Sequence, residues 1–187
     1  MVAMASCSED DDIIDSENDE EQITRVTLTF TPTTGGDTKT AQWFDADGDG
    51  LDAPVIGDIV LAANTEYDLS ITFENTLATE AAEQDVTAEV EEEGAEHMVF
   101  FGWTDGLFSD PAGDGNIDNR VDDMEVNYDD ADGNGQPLGL ETSWTTDAAG
   151  SGKFTVLLAH QPGLKSGSSQ SDDGESDVDI TFDISIQ

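Results

Sequence analysis

Apolar residues recur at every second position through most of the chain beyond residue 22. Val26, Leu28 and Phe30 alternate with Arg25, Thr27 and Thr29. Tyr67, Leu69, Ile71 and Phe73 alternate with Asp68, Ser70, Thr72 and Glu74, and Val178, Ile180, Phe182, Ile184 and Ile186 with Asp179, Thr181, Asp183 and Ser185. The most ordered stretch is 124–160: MEVNY, DDADGNGQP, LGLETSWTT, DAAGSG and KFTVLLAH. It reads as strand, acidic turn, strand, small-residue turn, strand. Leu138, Leu140, Thr142 and Trp144 share one face of the middle strand; Phe154, Val156, Leu158 and His160 share one face of the third. A period of two marks strands with one buried face, and glycine-rich turns between them are hairpin signals.

Further strands are expected over 38–44, 55–61 and 97–103. HMVFFGW at 97–103 is apolar on both faces, which predicts a central strand. Only Leu77–Gly94 reads as helix. Val86 and Val90 lie four apart, Asp85 can cap the start and Gly94 can end it. Its polar positions are mostly glutamate, so a short solvated helix is expected across an edge or end of the sheets, outside the core. About eight or nine strands at this spacing predict an all-β fold, an antiparallel immunoglobulin-like β-sandwich with one short helix. A jelly roll or small barrel is the alternative. Leu61–Tyr67, leading into a strand, resembles the tyrosine corner of immunoglobulin-like sandwiches, where a Tyr hydroxyl returns to backbone a few residues upstream. It departs from the fibronectin type III pattern at Ala63, where that fold has proline.

The first residues differ in kind. Met4-Ala5-Ser6-Cys7 resembles a bacterial lipobox, an apolar residue and two small ones before the cysteine that receives lipid. Residues 1–7 are therefore read as the remnant of a lipoprotein signal peptide, with Cys7 as the lipidation site and the true start codon upstream. Cys7 is the sole cysteine, so no internal disulfide forms. Residues 8–21, SEDDDIIDSENDEE, are too charged and too poor in apolar groups to fold alone, and are expected to be a disordered acidic tether. Residues 22–187 form one domain. No stretch has the roughly 18 apolar residues of a transmembrane helix.

Charge narrows the partners. There are 44 Asp and Glu against 5 Lys and Arg, a formal net charge of -39. Nucleic acid and anionic lipid surfaces would be repelled. The carboxylates are spread through nearly every turn, which fits a surface adapted to concentrated salt, where the Debye length falls to about 3 Å at 1 M.

Three acidic loops bear on calcium, which takes oxygens at alternate positions of a tight loop. Asp130, Asp132 and Asn134, followed by Gly135 and by Glu141 at the twelfth position, match the EF-hand expression. Asp114, Asn116 and Asp118 lack the glycine; Asp45, Asp47 and Asp49 have only the first half. A strand over 138–146 would carry Glu141 roughly 10 Å beyond Leu138, so a half-site from Asp130, Asp132 and Asn134 is the calcium expectation. Such residues are also plain turn formers. His97 and His160 are the only histidines. With a carboxylate such as Glu96 they could hold a transition metal; the simpler expectation is a buried ring donating to a backbone carbonyl. No nucleophile elbow, phosphate loop, HExxH or cysteine pair is present. No catalytic residue is singled out, and no motif requires a cofactor; calcium is the one cation the loops suggest. Thr104–Asp123 is a long Gly-, Asp- and Asn-rich loop of the kind that is mobile or functional.

The lipobox and acidic tether, LAANTEYDLSITF, DVTAEVEEEGAEH, the DxNGxPxGL turn and LLAHQPGLKSG together resemble a group of short Bacteroidota (flavobacterial-type) envelope lipoproteins over most of the chain. The resemblance implies an outer-membrane lipoprotein, exposed at the cell surface, with the periplasmic face as alternative. It implies no biochemical activity. Names borrowed from periplasmic binding proteins for some of that group do not suit this chain, because that fold needs alternating βα units. The expectation is a non-enzymatic domain for binding or adhesion, touching the membrane only through its lipid anchor, with an unidentified protein or glycan ligand. A calcium-stabilised structural module is the second reading, and a carbohydrate-active hydrolase the third.

Overall fold

The period-two faces become the inner faces of two packed sheets. The computed structural model describes residues 21–48, 50–117 and 126–187. Sheet A holds β1 (Arg25–Pro32), β2 (Lys39–Phe44), β3 (Val55–Ile56), β5 (Glu66–Glu74), β7 (Phe108–Asp110) and β9 (Glu141–Thr146) in the order β3-β2-β1-β5-β9-β7, with β8 (Asn127–Tyr128) also paired to β9. Sheet B runs β4-β11-β10-β6, from β4 (Ile59–Leu61), β11 (Glu175–Ile186), β10 (Gly150–His160) and β6 (His97–Trp103). The chain is an all-β sandwich.

Between the sheets, Val26, Leu28 and Phe30 meet Tyr67, Leu69, Ile71 and Phe73, and face Phe154, Val156, Leu158, Ile180, Phe182 and Ile184. One end of this core is aromatic. Trp144 lies 4.9 Å from Trp103, 4.8 Å from Phe108 and 5.1 Å from Phe154 between ring centroids, in tilted or edge-on pairs, the arrangements that ring quadrupoles favour.

Four expectations need correction. The strand expected over 55–61 is two. The chain leaves sheet A after Ile56 and enters sheet B at Ile59, where β4 pairs with β11 in parallel, so the sandwich is not wholly antiparallel. The Gly57 amide still donates to the Gln42 carbonyl at 2.8 Å, prolonging the β2–β3 contact by one bond before the chain crosses.

Second, β6 is an edge strand, not a central one. Its two apolar faces have another cause: the outer face, with Met98 and Phe100, is covered by Ile117 and Tyr128. Its free edge is occupied by loop groups. Val99 donates to the Leu138 carbonyl, Trp103 to the Asp114 carbonyl and Phe101 to the Asn116 side chain. An edge so plugged does not template pairing with another chain.

Third, the helix is broken and partly buried. α1 (Ala81–Gln84) and α2 (Val86–Glu92) are separated by Asp85, which leaves helical geometry and caps α2 by accepting from the Ala88 amide at 3.3 Å. Val86 and Val90 enter the main core. Fourth, β9 begins at Glu141 rather than Leu138. Gly139 sits at φ +94, where an added Cβ would lie 2.9 Å from Val99, so residues 137–140 turn over β6 instead of extending.

Candidate functional site

A broad concavity among the described residues lies on the outer face of sheet B. Met98 and Phe100 of β6, with Leu157 and Ala159 of β10, form a second buried cluster behind the main core. Tyr128 stands against it. Its hydroxyl donates to the Val99 carbonyl at 2.8 Å and accepts from Asn116 Nδ2 at 2.8 Å, while Asn116 Oδ1 accepts the Phe101 amide. Burial pushes the Tyr128 phenol above its usual range, so it stays protonated. Over this floor, Asn127 and Pro137 on one side and Ser166–Gln170 on the other enclose a cleft of about 840 Å³. The Ser166 turn is held by its own contacts, the Ser166 amide donating to Ser169 Oγ at 2.7 Å. Asp129 is the one charged residue among the described residues lining the cleft.

The acidic loops take three forms. Asp130 spends its carboxylate on backbone, accepting from the amides of Gly139, Leu140 and Glu141 at 2.7–3.1 Å. Glu141 is thus drawn back to Asp130 through its amide. Its side chain is exposed, and partial desolvation of the carboxyl with crowding by Asp130, Asp68 and Asp129 raises its pKa. Asp132 accepts the Asn134 and Gln136 amides and forms an ion pair with Lys165 at 3.1 Å, both side chains being buried. Burial raises the Asp132 carboxyl, but these amides and the ammonium outweigh it and hold it below the usual range. Lys165 also donates to the Gly94 carbonyl at 2.6 Å, joining the loop after β10 to the end of α2.

In the second loop Asn116 is the edge plug just described, Asp114 lies beside it, and Asp118 is outside the described residues. In the third, Asp45 and Asp47 share a side-chain hydrogen bond that, with burial, raises the Asp45 carboxyl above its usual range. Asp47 also accepts the Asp52 amide at 3.0 Å. Asp49 and Cys7 are outside the described residues.

The two histidines, placed 63 positions apart in the sequence, come together. His97 opens β6, His160 closes β10, and the register sets them directly opposite each other. Their rings stack at 4.7 Å with 8° between planes. His97 Nδ1 lies 3.3 Å from the Glu93 carbonyl and donates to it, as expected from sequence. Asp177 was not a sequence candidate. The pairing of β10 with β11 slips between Leu158 and Ala159, which leaves Asp177 as an extra residue opposite that step. A bulge re-aims side chains, and here it buries the Asp177 carboxylate 3.7 Å from His97 Nε2. Gly174 makes the approach possible. A Cβ there would lie 2.1 Å from the His160 carbonyl oxygen, and φ is +98.

Comparison with known proteins adds no relative: no family model, no curated protein and no solved structure matches this chain. Among the described residues no helix is long and apolar enough to cross a membrane.

Proposed function

We propose that this chain is a non-enzymatic binding domain, lipid-anchored at Cys7 to the outer membrane of the cell envelope, that holds an uncharged ligand in the cleft above Met98 and Phe100. The observation that carries the reading is the cleft's chemistry. In a chain of net charge -39, its described lining has one carboxylate, an apolar floor, and amide and hydroxyl groups from Asn127, Ser166, Ser168 and Gln170. An apolar concavity of a few hundred Å³ with a few placed polar groups is the usual form of a small-molecule site. A glycan segment suits it, because sugars present hydroxyls around apolar C–H faces. Catalysis is not the reading, because Asp129 is joined to Ser143 and Tyr128 is held protonated, so neither is a base poised over the floor.

The test is a titration of neutral glucose-, galactose- and mannose-based disaccharides into the full chain, followed by amide chemical shifts. Shifts confined to Met98, Phe100 and 166–170, and lost in Ser168→Trp at the exposed rim, are expected. Shifts absent with every sugar, or unaltered by the tryptophan, would sink the glycan reading. For the anchor, Cys7→Ala expressed with its upstream sequence should leave the membrane fraction. Equal retention would remove it.

A further inference from the structure

On the inner face of the same two strands, behind the cleft floor, the stacked histidines form the end of the core. Both rings are buried, at 0% and 5% exposure. A carbonyl oxygen can only accept, so the contact with Glu93 puts the His97 proton on Nδ1 and leaves Nε2 a bare lone pair. Neither His97 Nε2 nor His160 Nε2 has a hydrogen-bond partner, and both atoms are buried. Each instead faces a carboxylate: His97 Nε2 lies 3.7 Å from Asp177 Oδ2, and His160 Nε2 lies 3.7 Å from Glu96 Oε2. The Glu93 carboxylate completes the group; one oxygen of it and one nitrogen from each ring lie within 4.8 Å of one another.

Lone pair facing carboxylate is a repulsive arrangement unless a cation lies between. A metal ion held by the ring lone pairs and the carboxylates together is such a cation. Bonds of about 2.1 Å in a tetrahedral shell put ligand atoms about 3.4 Å apart, close to the 3.7 Å between His97 Nε2 and Asp177 Oδ2. The wider histidine–Glu93 set would draw in by about an ångström.

We propose that His97, His160 and Glu93, with Asp177 beside them, bind one divalent transition metal ion. Imidazole nitrogen with carboxylate oxygen selects ions of the Zn²⁺, Co²⁺ and Ni²⁺ class over calcium and magnesium, which prefer oxygen throughout. The site is closed on the core side, as structural metal sites are. Its three ligands come from the turn after α2, from β6 and from β10, with the β11 bulge beside them, so an ion there ties the helix end to two strands of sheet B. The site owes nothing to the cleft proposed above, and either can fail without the other.

The experiment titrates Zn²⁺ into the full chain carrying Cys7→Ala, so that no thiolate competes, in concentrated NaCl with saturating magnesium to occupy surface carboxylates. One ion per chain, bound with a rise in melting temperature that magnesium alone does not give, is expected. Co²⁺ should take the same place and develop the visible absorption of a nitrogen-ligated ion. Glu93→Gln and His160→Gln should each weaken binding by about tenfold or more. Zn²⁺ bound no better than Mg²⁺, or affinity unchanged in both variants, would overturn the proposal. Should His160→Gln not fold, Glu93→Gln decides alone, because Glu93 is half-exposed at the helix end.

Discussion

The phenol oxygen of Tyr67 accepts a hydrogen bond from the Ala62 amide at 2.9 Å, reaching back five residues across the turn before β5. The ring is buried and meets Phe30 edge-on at 6.2 Å. This is the tyrosine corner that Leu61–Tyr67 suggested, closed despite Ala63 standing where proline is usual. Tyr67→Phe keeps the packing but strands the amide. It should cost about 1–3 kcal/mol, read as a lower denaturation midpoint with an unchanged slope. An unaltered midpoint would mean that water takes over from the hydroxyl.

Lys165 and Asp132 are both about 1% exposed at the side chain. Removing one partner of such a pair leaves a buried charge, so Lys165→Met should cost roughly 3–5 kcal/mol at neutral pH. The Asp132 carboxyl is held below its unfolded value of 3.8. Its contribution is therefore present above that pH and lost as pH falls through the lower folded value. Without Lys165 this acid-side loss should shrink. Denaturation of both proteins from pH 7 down to about 2 checks it, and parallel curves would show that the ammonium does not set the Asp132 charge.

Two glycines give a matched comparison. Gly163 has φ +67 and no atom within 4 Å of an added Cβ, so Gly163→Ala should cost only the left-handed backbone, about 1–2 kcal/mol. Gly174 has φ +98, and its Cβ would meet the His160 carbonyl. Backbone cannot give way there. Gly174→Ala should lose appreciably more than Gly163→Ala and also abolish any zinc-dependent rise in melting temperature. Equal losses would show that the β11 bulge can shift freely.

The net charge of -39 predicts salt dependence. Unscreened carboxylates repel across the folded surface. Raising NaCl from about 0.1 to 3 M contracts the Debye length below 3 Å. The melting temperature should climb by more than about 4 °C, the equivalent of roughly 1 kcal/mol or more in a chain of this size. A flat response would remove the high-salt reading of the surface.

Face assignment was legible because burial on one side imposes a period of two, which held from Val26 to Ile186. What lay outside that signal was non-local. HMVFFGW looks central because both faces are apolar; only the fold shows that Tyr128 and Ile117, rather than a second strand, cover its outer face. Val55–Leu61 reads as one strand because pattern cannot see the chain cross from sheet A to sheet B between Ile56 and Ile59. The pairing of His97 with His160 depends on register alone. Asp177 was hidden more deeply: counting back from Val178 puts it on the solvent face, and the bulge reverses that. The calcium spacing of Asp130, Asp132 and Asn134 was visible, but the amides and the lysine that engage the two aspartates were not.

β11 lies in the middle of sheet B, between β4 and β10, and the Ile59–Ile184 pairing joins positions far apart in sequence. During translation, sheet A strands β1, β2, β3 and β5 can associate early, but sheet B has no centre until residues 175–186 emerge from the ribosome. Until then β4 has no partner in sheet B, and β10 is paired on one side only, with β6. Native topology this dependent on distant contacts folds slowly, on the order of milliseconds to seconds. The growing chain must therefore stay soluble while its core is open, and a surface rich in like charge keeps such half-finished chains apart from one another.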